Sequence, residues 1–351
     1  MKTSTGWLLA AVGIAVAAAP AVAGAPSFVP DRTGPFVVAA WLPTWDDAGA
    51  ASLSDALRVG GVSEVSPTWA GVRADGTLAL TPPASSVLLQ TSMDGARLIP
   101  VVQNYAGDAW QGDLIASILS DSQRAAVHRR ALVQAARENH WDGVDIDYEG
   151  LPPTIGPQFI AFLTALRDDL HAAHRLLSVA VPARAGDDDP GTLAYSYQAL
   201  GRVADEVRVM AYDHAWSASA PGPIAPTAWV RAVVRYAVAR VPREKLMLGL
   251  ATYGYDWSGT TGRDVGAADA EALARREHSD LVWGDAAAAV TFRYRAHGRQ
   301  HVVWFEDARS MAVKQQIAVD AGLRGVAIWR LGGEDPAVWT TVARATVGSA
   351  R

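Results

Sequence analysis

Residues 141–150 have the sequence Trp-Asp-Gly-Val-Asp-Ile-Asp-Tyr-Glu-Gly, in which acidic and apolar side chains alternate. Successive side chains of a β-strand point to opposite faces, so the carboxylates share one face and the apolar side chains share the other. The acidic face comprises Asp145, Asp147 and Glu149. In a closed barrel of parallel strands, the apolar face packs against outer helices. The three carboxylates are then predicted to line the interior and to approach the C-terminal mouth, where such barrels place their chemistry.

Seven further apolar runs typical of strands occur along the chain, separated in several places by helical patterns. The eight runs cover residues 36–41, 62–67, 98–102, 143–147, 176–181, 207–212, 246–250 and 325–329. Strands that alternate with helices pair in parallel through right-handed crossovers, and eight such strands close into a barrel. The sequence therefore predicts an α/β protein with a (β/α)8 TIM barrel. An open doubly wound sheet is the alternative, but no G-x-G-x-x-G follows an early strand.

The segment between the seventh and eighth runs is too long for one crossover helix. Residues 267–276 have a helical pattern, and residues 291–295 and 301–305 have the pattern of a hairpin. We therefore expect a small α+β insertion at about residues 258–307 on the working face of the barrel. The barrel itself is expected to cover residues 34–346 as one domain.

The N-terminus has the pattern of an export signal, residues 1–23. Lys2 precedes an apolar run from Trp7 to Ala19, and a small-x-small site follows at residues 21–23. Cleavage there predicts a protein that is secreted or held in the cell envelope. An uncleaved membrane anchor is the alternative, because the uncharged stretch approaches the length needed to cross a bilayer.

The composition limits the classes of function. The net charge of -5 gives no basic surface for nucleic acid or anionic lipid. The chain has no cysteine, which excludes a lipid-modified N-terminal cysteine, disulfides and thiolate catalysis. Half of the residues are apolar, enough for a large core without such cross-links. We expect a monomer that uses no cofactor and no metal.

The stacked carboxylates of the fourth run predict acid–base chemistry. Same-face residues on a strand lie about 6.6 Å apart, so carboxylates in a shielded interior cannot all ionise freely, and at least one pKa should rise. Glu149, nearest the mouth, is the candidate general acid. Asp147 is placed to stabilise nearby positive charge, and Asp145 to exchange a proton with Asp147. A solvated acidic loop and a metal site are the alternatives.

At this point the sequence resembles a known family. The segment Asp142–Glu149 reads D-G-x-D-x-D-Y-E, which is similar to the strand-four signature of glycoside hydrolase family 18, the chitinase-like family. Residues 210–213, Met-Ala-Tyr-Asp, resemble its strand-six motif, and Trp329 matches the Trp below its sugar pocket. The segment Tyr253–Trp257 and the insertion resemble the branch of spore-cortex and peptidoglycan N-acetylglucosaminidases.

The resemblance implies a retaining glycosidase that cleaves β-1,4 bonds next to N-acetylglucosamine, with the sugar's own acetamido oxygen as nucleophile. Glu149 would protonate the leaving oxygen, Asp147 would hold the acetamido N–H, and Tyr212 would align the acetamido oxygen. Seven further residues are expected to bind substrate, from the resemblance or from their places at strand ends: Trp329, Asp213, Trp41, Trp69, Gln103, Tyr253 and Trp257.

Two other classes of function remain open. A catalytically inactive, lectin-like barrel would bind glycan without cleaving it, although inactive relatives typically lose the final glutamate that this chain keeps. An exported scaffold that binds a protein through the insertion is the third possibility. Among substrates, peptidoglycan, chitin and other amino-sugar polymers present the same reacting sugar.

Overall fold

The computed structural model describes residues 35–45, 47–81 and 85–348. The predicted export signal lies outside the described residues. The strands are β1 (Val37–Leu42), β2 (Glu64–Pro67), β3 (Ala70–Val72), β4 (Leu78–Leu80), β5 (Arg97–Leu98), β6 (Val101–Gln103), β7 (Tyr105–Ala106), β8 (Ala109–Trp110), β9 (Gly143–Asp147), β10 (Leu176–Pro182), β11 (Glu206–Met210), β12 (Leu246–Ala251), β13 (Tyr253–Ser258), β14 (Thr261–Gly266), β15 (Val282–Gly284), β16 (Ala289–Ala296), β17 (Arg299–Phe305) and β18 (Gly325–Trp329). The α-helices are α1 (Ala48–Arg58), α2 (Ser85–Met93), α3 (Gly112–Ser120), α4 (Ser122–Glu138), α5 (Gly156–Ala172), α6 (Tyr197–Val203), α7 (Thr227–Val238), α8 (Ala267–Arg276), α9 (Ala308–Asp320) and α10 (Ala337–Gly348).

Parallel strands form a ring with eight positions. Strands β9, β10, β11, β12, β18, β1 and β2 follow one another around it. The second position is shared by β2 and β3, and the third by β5 and β6, which are separated at Ile99 and Pro100. The ring closes at this break, because the Ile99 N–H donates to the Val65 carbonyl (2.9 Å) and the Asp142 N–H donates to the Leu98 carbonyl (2.8 Å). The prediction of a TIM barrel is confirmed.

The helices cover the outside of the ring with their apolar faces. Helix α5 shows the pattern, because its buried side chains recur every three or four residues: Phe159, Phe162, Leu163, Leu166 and Leu170. Helix α4 begins at a polar N-cap, since the Asp121 side chain accepts hydrogen bonds from the backbone N–H groups of Gln123 and Arg124. The main core therefore lies between the strands and this outer layer of helices.

The lower interior of the barrel holds a buried ion-pair network around Arg208 of β11. Its guanidinium donates to Glu64 (2.8 Å), Glu206 (3.0 Å) and Asp145 (3.2 Å). Burial and the neighbouring Glu206 charge raise the pKa of Glu64 to about 8. Burial opposes ionisation of Glu206, but Arg208 and Arg324 hold its pKa below the usual range. Breaking such a buried pair is strongly destabilising, so the network fixes three strands below the catalytic end.

A second, antiparallel sheet stands between β12 and β18. Its strand order is β14-β13-β17-β16-β15, and helix α8 packs on one face over a separate apolar cluster. Strand β13 begins two residues after barrel strand β12 ends, so the sheet rises directly from the C-terminal mouth. Among the helices of the described ranges, none combines the length and the apolarity needed to cross a membrane.

Candidate active site

A cavity of about 650 Å³ opens at the C-terminal ends of β9, β10 and β11. Side chains from three consecutive strand ends and their loops form its walls. The lining residues are Glu149, Pro182, Ala183, Ala185, Gly186, Asp188, Asp189, Thr192, Met210, Tyr212, Asp213, His214 and Trp229. This position is the expected one for chemistry in a parallel barrel, and it brings Glu149, Tyr212 and Asp213 into one space.

The backbone of Glu149 is held on both sides by one buried side chain. The Asn104 carboxamide accepts a hydrogen bond from the Glu149 N–H (2.9 Å) and donates to the Glu149 carbonyl (2.8 Å). Asn104 is only 2% exposed, so water cannot replace these bonds easily. Tyr195 also donates its hydroxyl to the carbonyl of Tyr148 (2.7 Å). The peptide units before and after the acid are therefore fixed.

The side chain of Tyr148 anchors the same segment on the outer face of β9. His128 must donate through Nδ1 to the Gly76 carbonyl (2.8 Å), because a carbonyl oxygen only accepts. Burial lowers the pKa of His128 to about 4, so the ring is neutral and Nε2 accepts from the Tyr148 hydroxyl (2.5 Å). The Gly76 carbonyl thus sets the tautomer of His128, and a buried hydrogen bond to His128 holds Tyr148, the residue that precedes Glu149.

Two glycines allow the chain to turn immediately after the acid. Gly150 has φ of +67°, a conformation that favours glycine. Gly112, at the start of α3, packs so closely that a Cβ there would lie 1.8 Å from the Gly150 carbonyl oxygen. Glycine at position 112 is therefore required for the helix to support the turn that follows Glu149.

The electrostatics favour protonated forms of the upper two carboxyls. Burial, with help from the Asp213 charge, raises the pKa of Glu149 from 4.5 to about 7. Burial, and then the charges of Glu149 and Asp145, hold the pKa of Asp147 well above its usual range. Near neutral pH, Glu149 is thus divided between its acid and base forms, which suits both proton donation and proton removal.

Asp145 lies deeper, at 0% exposure, between the active site and the ion-pair network. Its Oδ2 accepts from the Trp41 indole (2.8 Å) and from Arg208 (3.2 Å). Its Oδ1 is buried without a hydrogen-bond partner among the described residues, and the same is true of Oδ1 of Asp147. The alternation of β9 places both aspartates on the same face, but Asp145 is tied to an arginine that the sequence analysis did not consider.

Residues after strand β11 line the cavity, and the insertion sheet holds one of them from behind. Burial and the charges of Asp147, Asp213 and Glu149 raise the pKa of Tyr212, so its hydroxyl keeps its proton. Asp213 accepts hydrogen bonds from Tyr253 (2.6 Å) and Tyr255 (3.1 Å). Burial of the Asp213 carboxyl raises its pKa, and the two tyrosine bonds oppose that rise. Tyr253 is 6% exposed, so its buried hydroxyl holds the Asp213 carboxyl in place and has little surface left for a ligand.

Aromatic rings surround the half-buried Trp329 at the end of β18. Its ring centroid lies 6.1 Å from Trp41, edge-on, and 6.1 Å from Trp45, whose ring is tilted and 55% exposed. The Trp329–Arg330 peptide bond is cis. Thr252 holds this segment, because its backbone N–H donates to the Trp329 carbonyl (2.9 Å) and its hydroxyl bonds to the backbone of Arg330. Trp329 and Trp45 together offer a surface suited to stacking on a sugar.

The structure corrects the predictions for Trp69 and Trp257 and refines those for Trp41 and Gln103. Trp69 is 2% exposed and Trp257 is fully buried, with its indole donating to the carbonyl of Trp216 (3.1 Å). Neither ring offers a face to a ligand, because each is packed in the core. Trp41, at 3% exposure, supports Asp145 and Trp329 from below. Gln103 is half-buried and is the cross-strand neighbour of Asp147.

Three exposed aromatic residues lie on loops near the mouth. Tyr105 and Trp110 face each other edge-on at 5.1 Å on the short hairpin of β7 and β8. The Trp110 Cβ lies close to Gly150, next to the acid. Trp216 is 50% exposed in the loop after β11. Exposed aromatic rings on loops beside a cavity are typical of a binding surface. The spacing of these residues in the sequence does not show that they are exposed.

No group of three or more His, Cys, Asp or Glu side chains in the described ranges is arranged to hold a metal ion. The chemistry that this site can perform with its own side chains is proton transfer by Glu149, supported by Asp147 and by the Tyr212 hydroxyl.

Comparison with known proteins gives a consistent family. The family model described as glycosyl hydrolases family 18 matches residues 105–334. The chain is similar to the cortical fragment-lytic enzyme of Bacillus subtilis, with 31% identity over 277 residues. That match covers 76% of this chain and 63% of the relative, so the chain spans less than two thirds of the relative's length.

Two solved structures share the fold over most of this chain. The chitinase from Chromobacterium violaceum superposes with a TM-score of 0.82 at 28% identity, covering 88% of this chain and 98% of that one. The spore cortex-lytic enzyme SleL from Bacillus megaterium has a TM-score of 0.80 at 26% identity, covering 90% of this chain and 75% of that one. The fold is therefore shared with proteins of both names.

Proposed function

This chain belongs to the glycosyl hydrolases family 18, and we propose that it is a secreted retaining glycosidase that hydrolyses β-1,4 bonds next to N-acetylglucosamine in peptidoglycan or chitin-like glycans. One observation carries the proposal. The carboxyl of Glu149 lines an open cavity of about 650 Å³ with its pKa raised to about 7, and its backbone is fixed by Asn104. A rigidly held acid of that strength is suited to protonating a glycosidic oxygen.

In the proposed mechanism, Glu149 acts twice. Its protonated form donates to the leaving oxygen as the glycosidic bond breaks, and the acetamido oxygen of the substrate attacks the anomeric carbon. The resulting carboxylate then removes a proton from the water that opens the cyclic intermediate, so the anomeric configuration is retained. A pKa near 7 favours both half-reactions, because the acid and the base forms are both populated near neutrality.

Asp147 and Tyr212 would hold the acetamido group. The unpaired, buried Oδ1 of Asp147 can accept the acetamido N–H. As positive charge develops on the substrate, Asp147 stabilises it best as a carboxylate, and its proton can pass toward the unpaired Oδ1 of Asp145. Tyr212, which remains protonated, donates its hydroxyl to the acetamido oxygen. Trp329 and Trp45 would support the sugar ring from below, and Asp213 would bind a sugar hydroxyl.

The names of the relatives support the substrate class. One is a cortical fragment-lytic enzyme and another is a chitinase, and both names refer to polymers that contain N-acetylglucosamine. The N-terminal pattern of residues 1–23 supports export to the cell envelope, where such polymers lie. We place peptidoglycan before chitin because of the resemblance of Tyr253–Trp257 and the insertion to the cortex-lytic branch.

The test is release of reducing ends, with product masses, from purified peptidoglycan and from chitin oligosaccharides. Glu149→Gln should lower kcat by at least about 100-fold, because the proton donor is lost while the shape of the site is kept. Glu138→Gln, the same chemical change at an exposed position on α4, is the matched control and should keep full activity. Normal turnover by Glu149→Gln would contradict the assignment. If wild type and Glu149→Gln bind the glycan equally and neither releases product, the lectin-like alternative would be favoured.

A further inference from the structure

One face of the insertion sheet changes from apolar to polar where helix α8 ends. Under the helix this face is closed by apolar side chains from four strands. Beyond Arg276, the last residue of α8, four polar residues are cross-strand neighbours in one row. From β14 to β16 this row comprises Thr261, Ser258, His301 and Tyr294. The row therefore forms a polar floor that the helix leaves uncovered.

A cavity of about 680 Å³ lies over this floor. Its lining residues are Asp256, Ser258, Thr261, Arg263, Arg276, Glu277, Tyr294, Ala296, His297, Arg299 and His301. Asp256 is 6% exposed, and its two oxygens accept from Tyr294 (2.6 Å) and from Nδ1 of His301 (2.9 Å). The Ser258 hydroxyl is buried with no hydrogen-bond partner in the described part of the chain. The floor is thus rigid and retains an unused polar group.

The charges around the cavity leave two guanidinium groups without a carboxylate partner among the described residues. Arg276 pairs with Glu277 at 3.1 Å, and the Asp256 carboxylate is already occupied by its two donors. Arg263 and Arg299 form no salt bridge with any carboxylate of the described residues, although both line the cavity. A guanidinium group can donate two parallel hydrogen bonds to a carboxylate or a phosphate, so two unpaired guanidinium groups in one cavity suit an anionic ligand of either kind.

A second cavity adjoins this one on the side of Trp329. It encloses about 450 Å³, and Arg263 and Arg276 line both cavities. At its other end it reaches Tyr253, which binds Asp213, and Arg330, which follows Trp329. A substituent on a polymer that crosses the Trp329 surface would therefore meet this cavity beside Arg330 before it reached Arg263.

We propose that the cavity lined by Arg263 and Arg299 binds an anionic group, a carboxylate or a phosphate diester, carried by the glycan that occupies the active site. The inference rests on the proposed function. It makes an anionic glycan of the cell wall, rather than neutral chitin, the preferred substrate. Neutral chitin has no group that needs two guanidinium partners, whereas peptidoglycan carries carboxylates on its peptides and can carry phosphodiester polymers. The insertion then acts as the part of the enzyme that selects the polymer.

The test compares KM for soluble peptidoglycan strands with KM for chitin oligosaccharides. Loss of an exposed ion pair weakens binding modestly, so Arg263→Gln and Arg299→Gln should each raise KM for peptidoglycan about threefold, and the double variant about tenfold. Their kcat and their KM for chitin should stay unchanged. Arg275→Gln is the matched control, because Arg275 lies on α8 of the same insertion, is 72% exposed and lines neither cavity. Equal KM changes with both polymers, or no change with either, would overturn the proposal.

Two treatments of the peptidoglycan identify the anionic group. Conversion of its carboxylates to methyl amides should remove the difference between wild type and the double variant if peptides are bound. Acid removal of phosphodiester polymers should do so if phosphates are bound. A difference that persists after both treatments would refute anion recognition.

Binding measured on the Glu149→Gln background, by co-sedimentation with insoluble peptidoglycan and insoluble chitin, keeps this question separate from catalysis. Absence of product from the protein with Glu149 intact would contradict the proposed function. Weaker sedimentation of the double variant would still support the anion site, and equal sedimentation would reject it.

Discussion

Replacement of Asp213 by Asn should move the alkaline limit of activity without a uniform loss of rate. Asp213 is one of two causes of the raised pKa of Glu149, and burial is the larger one. The pKa rises from 4.5 to about 7, so Asp213 accounts for less than half of a rise of about 2.5. The Asn side chain keeps an oxygen that can accept from Tyr253 and Tyr255, so the principal change is the loss of charge.

The size of the effect follows from the protonated fraction of Glu149. If its pKa falls by about 1, to about 6, the acid form at pH 7.5 drops from about 24% to about 3%, which lowers kcat/KM about eightfold. At pH 5.5 most of the Glu149 remains protonated in both proteins, and the difference should be less than about 1.5-fold. The sign is fixed, because removing a negative charge lowers the pKa of a nearby carboxyl and activity that needs its acid form is lost from the alkaline side.

The assay is the pH profile of kcat/KM from pH 5 to 9 on a chitin oligosaccharide or a peptidoglycan strand. Asp188→Asn is the matched control, because Asp188 lines the same cavity but is not among the causes that raise the pKa of Glu149. Its alkaline limit should stay near pH 7. An equal loss of rate by Asp213→Asn at every pH, with the limit unmoved, would refute the electrostatic reasoning.

Two further substitutions test how the acid is positioned. Asn104→Ala removes both hydrogen bonds to the Glu149 backbone, so the free energy of unfolding should fall by about 2 kcal/mol and kcat by about tenfold, as urea titration and turnover would measure. Wild-type kcat in that variant would show that the clamp is not needed. Gly112→Ala would place a Cβ 1.8 Å from the Gly150 carbonyl oxygen and should destabilise the fold by about 3 kcal/mol. Gly186→Ala, where nothing lies within 4 Å of the added Cβ, is its control in thermal unfolding and should leave Tm nearly unchanged.

The sequence identified the barrel because its signals are local. An apolar run of five or six residues between helical patterns is sufficient to predict a buried parallel strand, and eight such runs predict a closed ring. The breaks within the second and third strands could not be seen in this way. Pro100 lies at one of them, but whether a strand resumes on the other side depends on the hydrogen bonds that Val65 and Asp142 offer.

The candidate site was only partly accessible from the sequence. The shared face of Asp145, Asp147 and Glu149 follows from the two-residue period of a strand. The connection of Asp145 to Arg208 does not, because these residues are 63 positions apart and meet only when the ring closes. The hydrogen bonds between Asn104 and Glu149 could not be predicted for the same reason, because these residues are 45 positions apart.

The tryptophans show most clearly where prediction from the sequence ends and the tertiary structure is needed. Trp69, Trp257 and Trp329 all stand at or near strand ends, so their positions on strands do not distinguish them. The indole of Trp257 turns inward to a carbonyl 41 residues away, while Trp329 is half-buried at the mouth beside the exposed Trp45. The sequence by itself determined which elements form and which carboxylates share a face, because these follow from backbone geometry over a few residues. Only the tertiary structure decided which side chains reach the cavity, because the direction of each depends on packing against distant parts of the chain.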